Sequence, residues 1–154
     1  QLMTVEYARN VVGLKDANTT EINPATPHPI IALLPEQIEK LKNKDYGGTM
    51  RLGAYLHDIA EGTIAHEAYG KIQVSERHRH RFEVNPEYIA QLESAGLVFS
   101  GKSPDKHLME VAELPKSVHP FMLGTQAHPE LKARPLEPHP LFTAFLKAAI
   151  ERGQ

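Results

Sequence analysis

Phe121-Met122-Leu123-Gly124-Thr125-Gln126-Ala127-His128-Pro129-Glu130 opens as an apolar run and ends on His-Pro-Glu. Residues 121–125 have the length and composition of a strand, and the residues after them read as the turn that leaves it. A histidine at a strand end, with a carboxylate two residues on, can have one ring nitrogen held by the carboxylate. The other nitrogen is then presented to a nucleophile's proton, the arrangement of orienter and base in acyl transfer. The alternative is a structural turn in which Pro129 enforces extended geometry on His128 and Glu130 is a surface charge. The tripeptide alone does not separate the two.

Working outward, His139-Pro140 opens a helix in which Leu141, Phe142, Phe145, Leu146, Ala149 and Ile150 form an apolar stripe, expected to pack on a sheet. Upstream, residues 97–100 and 108–114 are further strand candidates. Residues 86–95 predict a helix with Asn85 as N-cap, Pro86 in the first turn and Gly96 past the end. Residues 63–69 predict one or two helical turns closed by Gly70, and residues 72–74 and 78–84 read as extended chain around a charged region. In residues 49–58, Met50, Leu52, Ala54 and Leu56 alternate as the buried side of a strand. Residues 30–34 suit a short buried strand, residues 36–44 a solvated charged excursion, and residues 14–29 a polar, proline-broken loop. Residues 1–13 read as a helix already in progress, with no cap at its start and Gly13 as its stop. Mixed elements of this kind predict an α/β fold, a central sheet flanked by helices, with His128 at a strand end.

The chain has 154 residues, the size of one domain or a piece of one. With 17 basic and 19 acidic side chains its net charge is -2, so no overall field holds nucleic acid or an anionic membrane. No apolar run approaches the roughly 18 residues of a membrane span, and no signal peptide is seen; the expectation is a soluble, cytoplasmic protein. The chain contains no cysteine, which excludes disulfides and thiolate metal sites and removes the commonest acyl-transfer nucleophile of intracellular enzymes. In Arg77-His78-Arg79-His80-Arg81, extended geometry puts three arginines on one face and two histidines on the other. Two histidines without a third ligand are weak evidence for a metal site, and a basic pentamer without interleaved aromatics is weak evidence for nucleic-acid binding, so structural hydrogen bonding or ion pairing is the favoured reading of the run apart from Arg81. Ser100-Gly101-Lys102-Ser103 lacks the upstream glycine of a phosphate loop. His28, His57, His66, His107, His119 and His139 are assigned solvated or capping roles, and Met50, Tyr55 and Phe142 core roles.

Three segments occur in one order: Gly47-Gly48-Thr49-Met50-Arg51-Leu52-Gly53, then Glu76-Arg77-His78-Arg79-His80-Arg81-Phe82-Glu83-Val84-Asn85, then Gln126-Ala127-His128-Pro129-Glu130. Together they resemble the C-terminal glutaminase domain of the CTP synthases, a class I glutamine amidotransferase domain. The likeness extends to Glu6-Tyr7-Ala8-Arg9-Asn10-Val11-Val12-Gly13-Leu14-Lys15-Asp16-Ala17-Asn18-Thr19-Thr20-Glu21 and to His139-Pro140-Leu141-Phe142, so it covers almost the whole chain. His-Pro-Glu is shared by class I amidotransferases at large, whereas the other two segments are much narrower.

The resemblance implies that residues 1–154 are the C-terminal part of such a domain, with its first strands and its nucleophile elbow missing. In the family the elbow reads Gly-Ile-Cys-Leu-Gly-Met-Gln, and Gln1 looks like the continuation from its glutamine. His128 and Glu130 match the catalytic base and its orienting acid; Gln1, Glu21 and Arg81 match positions that hold glutamine, Arg81 through the carboxylate. The implied activity of the parent is ATP-dependent amination of UTP to CTP with ammonia from glutamine, and the fragment alone is expected to be inactive. No cofactor is expected in the fragment; ATP and magnesium would bind the parent's N-terminal synthetase domain. The implied partners are L-glutamine, that synthetase domain and a homotetramer of the parent, with no nucleic acid and no membrane. Residues 36–44 are a place to look for a response to GTP. A parallel sheet deprived of its neighbours implies poor solubility of the piece alone. Two other readings stay open: a different class I amidotransferase, or a non-catalytic glutaminase-like interaction domain.

Overall fold

Helix-capping residues fix much of the chain's layout, and the elements fall where those residues start and stop them. The computed structural model describes residues 1–35, 37–38 and 50–153. The expected excursion over 36–44 lies outside these apart from residues 37–38, as do Gly47, Gly48 and Thr49. In chain order the described elements are α1 (Leu2–Asn10), β1 (Asn18–Thr19), β2 (Pro29–Ala32), β3 (Arg51–Ile59), α2 (Ile64–Tyr69), β4 (Gln73–His80), β5 (Glu83–Val84), α3 (Pro86–Ser94), β6 (Val98–Lys102), β7 (Met109–Glu113), β8 (Leu123–Thr125), a 3-10 turn (Pro129–Leu131) and α4 (Pro140–Arg152). They form two units, residues 1–52 with 79–97, and residues 53–78 with 98–154.

In the first unit, α3 begins where Asn85 accepts a hydrogen bond from the Glu87 amide and Pro86 fills the first turn. Gly96, just beyond it, sits at φ +103°, a conformation that a side chain would strain. Asn85 also ties the helix to β2, its amide donating to the Ile30 carbonyl at 2.8 Å and its side chain to the Pro29 carbonyl at 3.0 Å. Helix α1 lies against β2 and buries Val5 and Ala8. It ends at Asn10, before Gly13, because the Val11 and Val12 amides both turn back to the Tyr7 carbonyl. Ile30, Ile31, Leu92 and Leu97 are buried with them, each worth about 1.5–3 kcal/mol of burial.

The sheet of this unit has the order β1-β2-β5. Strand β1 is parallel to β2 and β5 antiparallel to it, with Ala32 opposite Glu83. The chain leaving β1 and the chain entering β5 therefore lie at the same end of the sheet, the C-terminal end of β2. Strand β1 falls inside the stretch expected to be a loop. Its pairing comes from single backbone bonds, Asn18 amide to His28 carbonyl and Thr20 amide to Ile31 carbonyl, which polar composition conceals.

The second unit carries a sheet of order β4-β3-β6-β7-β8. The pairings of β3 with β6, β6 with β7 and β7 with β8 are antiparallel, whereas the resemblance implies a parallel sheet. In the first unit the pairing of β1 with β2 is parallel. Ile59, Ala65 and Val111 form the core of the second unit, with Tyr69, Val74 and Leu123 packed against them. A β-carbon on Gly101 of β6 would come within 2.6 Å of Val111, so only glycine lets these strands approach. Every residue of β7 is buried, Glu110 and Glu113 included. Glu113 is satisfied by the amides of Ile64 and Ala65, at 2.7 and 3.0 Å, and by the Ser100 hydroxyl at 2.8 Å. It thereby sets a negative charge at the first turn of α2, where the free amides favour one.

Two expectations about apolar faces fail. On β3 the alternation is present but its phase is reversed: Leu52 is 65% exposed and Leu56 48%, while His57 and Ile59 are buried. On α4 the stripe is largely uncovered, with Phe145 53% and Ile150 63% exposed and only Leu141 buried, because the helix lies against α2 and not on a sheet. Tyr55 and Phe142, expected in the core, are likewise exposed.

Candidate active site

Strand β8 delivers the chain to His128 through a run of short backbone commitments. The Gln126 amide donates to the Glu110 carbonyl at 2.8 Å, and the Ala127 amide to the Thr125 hydroxyl at 3.1 Å. The His128 amide donates to the Arg77 carbonyl of β4 at 2.8 Å, and its own carbonyl accepts from the Leu131 amide. His128 is thus the cap of the 3-10 turn that Pro129 begins. Fixed at both backbone groups, it places Nδ1 2.7 Å from Glu130 Oε1.

That contact selects the tautomer. A carboxylate so close holds the proton on Nδ1 and leaves the lone pair on Nε2, which is the nitrogen a base needs. The hydrogen bond from His128 lowers the Glu130 carboxyl below its ordinary range, outweighing the opposing effect of desolvation. Both side chains are accessible, 37% for His128 and 59% for Glu130, as a group that meets substrate must be. Both expected members of the catalytic pair therefore lie together, in the second unit.

The three positions expected to hold glutamine lie in the first unit. Gln1, at the start of α1, donates through Nε2 to the Phe82 carbonyl at 3.1 Å, beside Arg81. Arg81 follows the end of β4 and precedes β5; its carbonyl accepts from Gln37 Nε2 at 2.7 Å, which fixes its backbone. Its side chain is half-buried, and its Nε is buried without a hydrogen-bond partner among the described residues. A buried guanidinium N–H left so is costly, and a planar carboxylate satisfies it best. Glu21 is exposed, two residues past β1, its amide donating to the Thr19 hydroxyl. Since β1 runs out and β5 runs in at one end of the three-stranded sheet, Glu21, Arg81 and Gln1 gather at that end.

A family model described as "Glutamine amidotransferase class-I" matches residues 1–148. The chain belongs to that family. Among its amidotransferase relatives, the CTP synthase of Acidothermus cellulolyticus is 58% identical over 97% of this chain and 27% of that protein. The CTP synthase of Nocardioides sp. is 56% identical over 99% of this chain and 27% of that protein. The chain thus spans about a quarter of the length of these curated relatives. A solved structure, "Trypanosoma brucei CTPS - glutaminase domain with bound acivicin", superposes with a TM-score of 0.87 at 34% identity, covering 98% of this chain and 57% of that one. Among the described residues, no helix is long and apolar enough to cross a membrane.

Several buried groups escaped the sequence reading. His57, expected to be solvated or capping, is fully buried beside His78 and Glu110. His139 does cap α4, its Nδ1 accepting from the Leu141 amide, but its Nε2 also lies 2.9 Å from the buried Glu76. Burial raises the Glu76 carboxyl; the hydrogen bond and charge of His139, with Lys132 and Tyr69, outweigh this and hold it below the ordinary range. Burial, then the adjacent Glu76, push the Tyr69 hydroxyl far up. The available signal was two carboxylates, Glu110 and Glu113, set in an otherwise apolar strand.

Proposed function

We propose that this chain supplies glutamine hydrolysis to a protein that aminates UTP to CTP at the expense of ATP. The observation that carries the proposal is the 2.7 Å contact between His128 Nδ1 and Glu130 at the end of β8, in a chain whose relatives are CTP synthases. The 154 residues hold no cysteine, so the nucleophile is supplied from outside them. These residues alone are accordingly proposed not to hydrolyse glutamine.

In the proposed reaction His128 Nε2 takes the thiol proton as the sulfur attacks the side-chain amide carbon of glutamine. It returns that proton to the departing ammonia, leaving a glutamyl thioester. It next takes a proton from the attacking water and gives it to the thiolate as the thioester breaks, releasing glutamate. Throughout, Glu130 keeps Nδ1 protonated and stabilises the imidazolium. Arg81 meets the α-carboxylate of glutamine with two parallel N–H bonds, Glu21 accepts from its α-ammonium, and Gln1 adds a polar contact. ATP with magnesium, and UTP, belong to the synthetase part of the whole protein. That part, and assembly of the whole protein into tetramers, are the partners proposed for this chain in the cytoplasm.

His128→Ala in the full-length protein tests the proposal. Glutamine-dependent CTP formation should fall by at least about 100-fold, while CTP formation from free ammonium salts stays within about twofold. Survival of the glutamine route alongside failure of the ammonia route would refute it.

A further inference from the structure

Three ligand-type atoms converge inside the second unit. His57 Nε2 of β3 and His78 Nε2 of β4 lie 2.7 Å apart, and Glu110 Oε2 of β7 lies 3.6 Å from the first and 3.7 Å from the second. All three side chains are wholly buried. A triangle with those sides has its centre about 2.0 Å from each corner, and zinc binds imidazole nitrogen at about 2.0–2.1 Å and carboxylate oxygen at about 2.0–2.2 Å. All three atoms are within reach of one ion, and the two nitrogens, 2.7 Å apart, separate to about 3.3 Å when a tetrahedral ion binds.

We propose that His57, His78 and Glu110 form a structural zinc site. Two imidazoles and one carboxylate are a donor set suited to zinc, with a water as the fourth ligand of a tetrahedral ion. All three donors are wholly buried, which leaves substrate no access and makes the site structural and not catalytic. In the metal-free protein the Nε2–H of one ring faces the Nε2 lone pair of the other; an ion needs both lone pairs, so that proton moves to Nδ1 of its own ring. The counter-charge is built in, since the Glu110 carboxylate faces both rings.

The placement also gives the ion a task. Strands β4 and β3 are neighbours, but β7 is separated from β3 by β6. One ion therefore links strands that backbone hydrogen bonds do not. Arg77, adjacent to His78 on β4, holds the His128 amide through its carbonyl, and Glu110 itself accepts the Gln126 amide through its carbonyl. Both backbone anchors of the His128 segment thus start at or beside a zinc ligand. The proposal does not depend on the glutaminase reading, since metal binding is measured without substrate.

The test uses the full-length protein, stripped with chelator and dialysed against zinc chloride, with bound metal measured by plasma mass spectrometry. Expected is about one zinc more per chain than in a His57→Gln, Glu110→Gln double variant, and affinity at least ten-fold weaker in either single variant. Zinc should also raise the melting temperature of the unaltered protein more than that of the variants. Should the variants misfold, cobalt(II) added to the unaltered stripped protein decides. Intense visible bands of a four-coordinate ion support the site, and the faint spectrum of a six-coordinate aquo ion overturns it. Equal zinc content in the unaltered and doubly substituted proteins also overturns it.

Discussion

The two units are held together by different physics. In the first, the largest fully buried side chains are mainly aliphatic, with Ile30, Ile31, Leu92 and Leu97 at or below 1% exposure and Glu83 the one carboxylate among them. In the second, they are mainly ionisable: His57, His78, Glu76, Glu110 and Glu113, with Val111. An aliphatic core tolerates pH and punishes lost volume, whereas a core of paired charges tolerates small changes of shape and punishes lost partners. The division follows the proposed labour. The residues proposed to hold substrate sit at the end of a greasy three-stranded sheet, and the proposed base hangs from strands laced by buried polar contacts.

Hydrogen exchange on the full-length protein, resolved by peptide, reads each unit by itself and so can break this comparison. The largest expected effect is in the first unit. Leu92→Ala should lower the protection of α3 and β2 by about 2–5 kcal/mol, by the same amount at mildly acid and mildly alkaline pH. A pH-dependent loss would show that the unit leans on charge after all. Next comes Glu113→Gln, which weakens charge-assisted bonds to the Ile64 and Ala65 amides and should cost α2 about 1–3 kcal/mol. Unchanged protection of residues 63–69 would remove the carboxylate from the account of how that helix starts.

Glu76→Gln has the smallest effect and the most specific signature. The folded Glu76 carboxyl lies below its ordinary value, so its stabilisation is fully present above the unfolded value and is lost as pH falls through the folded one. The second unit of the unaltered protein should gain protection as pH rises across that acid window, and the variant should gain less. Identical slopes would contradict the pairing of Glu76 with His139 and Lys132.

What was legible in the sequence was local. Asn85, Pro86 and Gly96 announce α3, Thr63 and Gly70 bracket α2, and His139-Pro140 opens α4, because caps act within one turn. The His128–Glu130 contact was legible for the same reason, being a bond between residues two apart. What was hidden depends on partners distant in sequence. Alternation on β3 fixes that two faces exist but not which is covered, so Leu52 and Leu56 pointed the wrong way and His57 was misplaced. Glu110 completes the histidine pair from a strand more than 30 residues beyond His78, a meeting that no periodicity reports. The apolar stripe of α4 misled because hydrophobicity states what a face prefers, not what stands opposite it.

Steady-state glutamine kinetics of Arg81→Lys beside His128→Ala, in the full-length protein, test the division of labour most directly. Lysine keeps the charge but not the planar fork, so Arg81→Lys should raise KM for glutamine about ten-fold or more with kcat little changed. His128→Ala should lower kcat by at least about 100-fold with KM little changed. Ammonia-dependent CTP formation should persist in both. A fall in the same parameter for the two variants, or loss of the ammonia route together with the glutamine route, would contradict the assignment of binding to Arg81 and proton transfer to His128.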